Sequence, residues 1–161
     1  MYAVEFRPVG VVHTGATVDE IRAHTPGLES VVEVFREFEP ALEGIDGYSH
    51  IFVLGCFNQL RPEQVGPLRV KPKAMLRSGL KLEELPSVGV FALDSPTRPN
   101  PVGLSLAGLV KRDGNVLTVS GLDYFDGTPV LDIKPYNTNY RADVFTRPEW
   151  LTSLLSRDIR A

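Results

Sequence analysis

One cysteine occurs in 161 residues, so no internal disulfide can form and any fold must rest on its own core. The lone thiol, Cys56, points to a reducing compartment, and the sequence predicts a cytoplasmic protein in which Cys56 is a small buried hydrophobe. No basic lead precedes an apolar segment of signal-peptide length, and no apolar run approaches the roughly 20 residues of a membrane span, so a soluble chain is expected. Histidine is scarce. His13, His24 and His50 lie in different segments without partners at ligand spacing, and His50, just after Ser49, is expected to be a hydrogen-bonded structural residue. Gly44, Gly47 and Gly55 match no phosphate-binding fingerprint. Asp123, Asp126 and Asp132 fit neither an EF-hand loop nor the closely spaced aspartates of phosphate-transferring hydrolases, so no metal is predicted. Ser95 and Ser105 have no base nearby, which leaves serine nucleophile chemistry unsupported.

What the chain does have is an uneven distribution of charge. Residues 1–50 hold nine acids against three bases, whereas residues 61–81 hold Arg61, Arg69, Lys71, Lys73, Arg77 and Lys81 against Glu63 alone. A local basic patch can hold phosphates even on an acidic protein, because what attracts them is the field over one face. The length suits one domain over residues 1–161.

Val-rich and aromatic-rich segments predict strands over 2–14, 31–38, 49–57, 87–93, 102–112, 115–122 and 129–136. The run 49–57 reads as a fully buried strand whose polar end, Asn58-Gln59, emerges at a surface. Thr17 and Glu20 make a capping pair in the connection 15–30, which Pro26-Gly27 breaks. Residues 40–47 form a tight helical turn or loop, and 60–86 a long proline-punctuated excursion. Asp113-Gly114 suits a two-residue hairpin turn, and Asp126-Gly127 another turn. Pro148 opens a C-terminal helix, about 148–159, with Trp150, Leu151, Leu154, Leu155 and Ile159 on one face. The fold class is therefore mostly β, antiparallel, closing into a barrel or strongly curled sheet.

Two polar clusters, at 95–105 and 121–136, carry more rigid and reactive side chains than a surface turn needs. Prolines 96, 99 and 101 stiffen the first, holding Arg98 ready for a phosphate or carboxylate and Asn100 for a base edge. Lys134 and Tyr136 end the second with a cation and an aromatic face suited to a nucleotide. Together these residues point to an adenine-containing or RNA ligand.

The strings VGVFALDSPTRPNPVGLS and GLDYFDGTPVLDIKPY, with GYSHIFVL upstream and FRPVGVVHT at the start, resemble the TsaA-like family over about residues 6–140. Its best-known members are tRNA adenosine N6-methyltransferases. The resemblance implies a single-sheeted antiparallel β-barrel with short peripheral helices, S-adenosylmethionine as cofactor, tRNA as partner and a homodimer. It implies methylation of the exocyclic nitrogen of threonylcarbamoyl-adenosine beside the anticodon. A non-catalytic RNA-binding module, or a methyltransferase for another acceptor, are the alternatives. Some members carry a further C-terminal domain, which is not expected at this length.

Carried over by position, the family's cofactor contacts fall on Asn58, Gln59, Asp94, Leu104, Asp123, Tyr124, Phe125 and Asp126. Asn100 is assigned the chemistry, accepting a hydrogen bond from the acceptor amine, and Arg98, Lys134, Tyr136, Lys71 and Lys73 the substrate. The chain departs from the family pattern at Asn58, where His is usual, at Leu93-Asp94-Ser95, where Thr-Arg-Ser is usual, and at His24-Thr25-Pro26, where Pro-Arg-Gln is usual. Asp94 reverses a charge, so an anion held there in relatives is not held here in the same way.

Overall fold

The computed structural model describes residues 3–24 and 27–158. The chain divides into two compact units, Met1–Leu60 with Pro101–Thr138, and Arg61–Asn100 with Asn139–Ala161. The strand and helix readings at Tyr2, Pro26 and Ile159 lie outside the described residues.

The first unit is a closed barrel of six strands: β1 (Gly10–His13), β2 (Leu28–Val34), β3 (His50–Cys56), β6 (Val102–Asp113), β7 (Val116–Leu122) and β8 (Pro129–Pro135). The order around the barrel is β1-β2-β7-β6-β3-β8, with every recorded pairing antiparallel. The expected single-sheeted barrel is thus borne out, and closure leaves the sheet without a free edge. β3 is its central wall, facing Val102–Gly108 of β6 on one side and β8 on the other. β6 serves two partners: after Gly108 it turns to β7, with an irregular register between Leu109 and Lys111.

Alternation fills the interior. Ile51 and Val53 of β3, Val32 and Val34 of β2, and Leu117 and Val119 of β7 are each 2% exposed or less. Eight strands give a barrel interior that side chains just fill. Six give less room, and here β-branched residues with Leu122 and Tyr124 occupy it. A ligand must therefore bind at a rim or on the outside.

The second unit is built from short pieces. The two-residue strands β4 (Arg69–Val70) and β5 (Val88–Gly89) pair with each other, 3-10 turns cover Lys73–Ser78, Leu82–Glu84 and Val90–Ala92, and α2 spans Glu149–Asp158. Leu154 is the buried residue of α2, and the Pro148 carbonyl accepts from the Leu151 and Thr152 amides at 3.0 and 3.1 Å. No described helix is long and apolar enough to cross a membrane.

Several boundaries depart from the sequence reading, each for a physical reason. The first strand is Gly10–His13 rather than 2–14, because Pro8 has no N–H to offer a ladder and pairing begins at Gly10. The second runs Leu28–Val34 rather than 31–38. Beyond it the Phe38 amide bonds to the Phe35 carbonyl at 2.8 Å, winding Arg36–Leu42 into a 3-10 turn that packs Phe38 and Leu42 on the core. The run 49–57 is half-buried rather than fully buried, since Phe52, Leu54 and Cys56 lie on the outer face of the barrel wall. Cys56 is accordingly only partly buried. The strand expected over 87–93 shrinks to Val88–Gly89, because the Leu93 amide bonds back to the Val90 carbonyl at 3.2 Å and winds Val90–Ala92 into a 3-10 turn, which the Arg98 guanidinium braces. In the connection 15–30, α1 (Val18–Ala23) does carry the expected cap. The Thr17 amide donates to Glu20 at 2.8 Å and holds the Glu20 carboxyl below its usual range.

Candidate functional site

The C-terminal end of β3 meets the loop between β7 and β8. Asn58 and Gln59 are exposed, and the Gln59 Nε2 donates to the Asp126 carbonyl at 2.6 Å, while the Asn58 Nδ2 reaches the Gly127 carbonyl at 3.5 Å. The loop is fixed from the other side by β1, since the Gly127 amide bonds to the Val12 carbonyl at 2.9 Å. The Asp126 Oδ1 accepts from the Thr14 amide at 3.0 Å. The Asp126-Gly127 turn is present, closed by the Thr128 amide on the Phe125 carbonyl at 3.1 Å, while the Asp126 carboxylate bonds to the distant Thr14 backbone. Ser105, two residues into the Gly-Leu-Ser string, donates to the Asp123 Oδ1 at 2.5 Å. Asn58, Gln59, Ser105, Asp123 and Asp126 are therefore linked at one rim, and Leu104, beside Ser105, projects outward at 66% exposure.

Inside that rim Tyr124 locks the geometry. Its hydroxyl donates to the Val53 carbonyl at 2.8 Å, and its ring sits against the cross-strand pair Gly55 and Gly103. A Cβ at Gly55 would stand 2.6 Å from the ring, so only glycine leaves the slot open. Phe57 meets the ring edge-on at 5.6 Å. Burial pushes the Tyr124 hydroxyl up to about 12. Of the four expected loop contacts, Tyr124 therefore offers a ligand only its backbone, whereas Asp123 and Asp126 are exposed and Phe125 is half-buried under Arg22.

Lys134 and Tyr136 belong to the opposite end of β3. Lys134 pairs with Phe52 in the ladder and the Tyr136 amide bonds to the His50 carbonyl at 3.1 Å. Asn58, just past the end of β3, is six residues beyond Phe52, roughly 20 Å at the rise of a strand. Lys134 is ion-paired with Asp132 at 2.7 Å, and Tyr136 contacts Phe52 and His50 edge-on. His50 bonds to Ser49 at 3.0 Å, as read from the sequence, though it is exposed.

In the second unit Arg98 is turned inward, contrary to the expectation of a guanidinium offered to an anion. Its Nη2 donates to the Val90 and Leu93 carbonyls at 3.2 and 2.6 Å, and its Nε is buried without a partner. The Val90 carbonyl also accepts from the Leu93 amide at 3.2 Å, which closes the 3-10 turn, so the guanidinium braces a turn that is already formed. Asp94 and Asn100 are exposed. Lys71 donates to the Leu82 carbonyl at 2.8 Å, whereas Lys73 is exposed.

Sequence reasoning missed Ser105 and Thr14 as partners of the two aspartates. Only the nearness of β6 and β1 to the loop, a tertiary fact, marks them. Two pockets of the first unit, about 320 and 350 Å³, lie elsewhere, lined by Arg7, Phe35 and Pro129 and by Phe38, Leu42 and Tyr48. Neither includes the rim just described; the rim is open and polar, so its hydrogen-bonded carboxylates, rather than cavity volume, mark it as the candidate. Among the described residues no three His, Cys, Asp or Glu converge on a metal site.

Residues 20–142 match the tRNA-methyltransferase O N-terminal domain. The chain belongs to that family. A probable S-adenosyl-L-methionine-binding protein of Pyrococcus abyssi is 37% identical over 150 residues, covering 91% of this chain and 75% of that protein. The mouse tRNA (adenine(37)-N6)-methyltransferase is 40% identical over 109 residues, covering 66% of this chain but 23% of the enzyme. A crystal structure of TrmO superposes with a TM-score of 0.68 at 28% identity, over 90% of this chain and 64% of that one. The chain thus spans less than two thirds of the solved TrmO chain. The span matched to the tRNA-methyltransferase O N-terminal domain takes in every rim residue except Thr14, together with Asp94, Asn100, Lys134 and Tyr136.

Proposed function

We propose that the chain is an S-adenosylmethionine-dependent methyltransferase acting on tRNA, at the exocyclic N6 of the adenosine beside the anticodon, with threonylcarbamoyl-adenosine as the acceptor. The observation that carries this reading is the rim of Asn58, Gln59, Ser105, Asp123 and Asp126, which falls inside the family-matched span apart from its anchor at Thr14. Its donor set fits the cofactor: exposed carboxylates accept from ribose hydroxyls or an ammonium, Asn58 and Gln59 face the same loop, and exposed Leu104 offers apolar surface. The cofactor supplies an electrophilic methyl group.

The charges of the two units support a division of labour. The first unit holds thirteen acids and six bases, the second eleven bases and seven acids. A cationic cofactor suits the former and a polyanion the latter. An exocyclic nitrogen conjugated with its ring is a poor nucleophile, so it must be oriented and its N–H engaged. Asn100, exposed between Pro99 and Pro101, accepts that hydrogen bond through its side-chain oxygen without a shifted pKa. The protein works in the cytoplasm as a homodimer; Leu106 and Val110, 44% and 55% exposed on β6, support self-association.

Calorimetry with S-adenosylmethionine and its demethylated product, followed by mass spectrometry of tRNA nucleosides after single-turnover reaction, tests the reading. Binding of both and one new methyl on the adenosine are expected. Asn100→Ala should slow methyl transfer by about tenfold or more with cofactor affinity nearly unchanged. Absence of cofactor binding would sink the reading, and tRNA binding without methylation would leave a non-catalytic RNA-binding module.

A further inference from the structure

Residues from 143 onward lie beyond the matched span, which ends at 142. The segment before α2 nevertheless exposes large apolar side chains: Val144 is 88% and Phe145 68% in water, with Tyr140 at 53%. Arg147 places its guanidinium 5.2 Å from the centre of the Phe145 ring. Arg141, ion-paired with Asp143 at 2.8 Å, is 70% exposed. A segment that held these side chains only for packing would turn them into its unit, as α2 turns Leu154.

We propose that Phe145, with Arg147 stacked on it, is a platform for an unpaired RNA base, rimmed by Arg141. The inference rests on the tRNA reading above and names a contact in it. Base faces are open to stacking only where RNA is single-stranded, as in a loop, and an aromatic ring backed by an arginine is sequence-tolerant. The guanidinium, held over the ring at 5.2 Å from its centre, keeps N–H donors for a neighbouring phosphate. The segment belongs to the unit with eleven bases and seven acids, so its field favours a polyanion. A second copy of the chain is the poorer occupant, because Arg141 already holds Asp143 of its own patch, which leaves a facing copy little charge complementarity to offer.

The test is fluorescence anisotropy with the full chain, using a labelled anticodon stem-loop RNA and the same stem as a blunt duplex. Phe145→Ala should weaken stem-loop binding by about fivefold or more, leave duplex binding and S-adenosylmethionine binding unchanged, and be rescued by Phe145→Trp. Arg147→Gln should lower the salt dependence by about one phosphate contact. Equal stem-loop affinity for parent and Phe145→Ala overturns the platform while leaving the tRNA reading intact. So does a parallel loss on stem-loop and duplex, or a shift from dimer to monomer in sedimentation. A parent that binds neither RNA overturns both.

Discussion

Tyr124 has its hydroxyl on the Val53 carbonyl and only 1% of its surface in water. A phenol so placed resists ionisation, and burial raises its pKa from 10 to about 12. A folded-state pKa above the unfolded one means that the associated stability is fully present below pH 10 and is lost as pH climbs through 12. That rise corresponds to about 2–3 kcal/mol, a large fraction of a marginal domain's stability. Urea unfolding at pH 8 and pH 11.5 should therefore show a marked drop for the parent. Tyr124→Phe should begin about 1 kcal/mol less stable for the lost hydrogen bond and lose less between the two pH values; an equal loss in both proteins would move the alkaline sensitivity elsewhere. At the same scale, Arg98 shows why a site residue can be misread. Its flanking prolines identify a stiff loop, but nothing in the local string reveals that the Val90 and Leu93 carbonyls lie within its reach, and bonding to them turns the guanidinium inward.

The β6–β7 hairpin joins at Gly114-Asn115, one residue later than the dipeptide read from the sequence, because Asp113 pairs with Val116 and Gly114 takes the positive φ of +59°. Asn115 then does more than turn the chain. Its Nδ2 donates to the Val34 carbonyl at 2.6 Å and its own carbonyl accepts from the Val34 amide at 2.9 Å, so one buried residue ties the hairpin to β2. Asn115→Ala leaves a buried carbonyl unpaired and should cost about 1–3 kcal/mol, read as a lower urea midpoint with unchanged slope. An Asn115→Ala protein as stable as the parent would show that water replaces the amide. Elements with local signals were legible: the Thr17–Glu20 cap, the apolar run 49–57 as a strand, and Pro148 ahead of α2. Elements settled by distant partners were not, as the 3-10 turns at Arg36–Leu42 and Val90–Ala92 show. The rim divides the same way. Motif strings pointed to Asn58, Gln59 and the Asp123–Asp126 loop as candidates, while Ser105 and Thr14 meet that loop through contacts that span 18 and 112 residues.

Net charge of −3 conceals two units of opposite sign, and on the tRNA proposal that opposition governs the expected response of binding to salt. Each phosphate neutralised by a lysine or arginine releases counterions, adding roughly 0.9 to the slope of log affinity against log salt on duplex and about 0.7 on single strands. The six bases of residues 61–81 are not equivalent donors. Arg61 is paired with Glu63 at 3.2 Å, Arg69 donates to the Ser87 carbonyl at 2.5 Å, and Lys71 to the Leu82 carbonyl at 2.8 Å. Lys73, Arg77 and Lys81 are exposed. Engaged head groups must give up a protein contact to meet a phosphate, so the exposed three should carry most of the counterion release. Replacing Lys73, Arg77 and Lys81 together by Ala should flatten the tRNA salt slope by about 2–3, whereas replacing Arg61, Arg69 and Lys71 should change it by less than about 1. The bonds that Lys73 and Lys81 make to Lys71 and Glu84 run through their backbones and survive alanine, so thermal unfolding of that variant should match the parent. Filter binding across 50 to 200 mM salt, roughly the range over which such slopes are resolved, measures both. Equal slopes for the two triple variants would mean that the field of the whole unit, rather than particular contacts, holds the RNA.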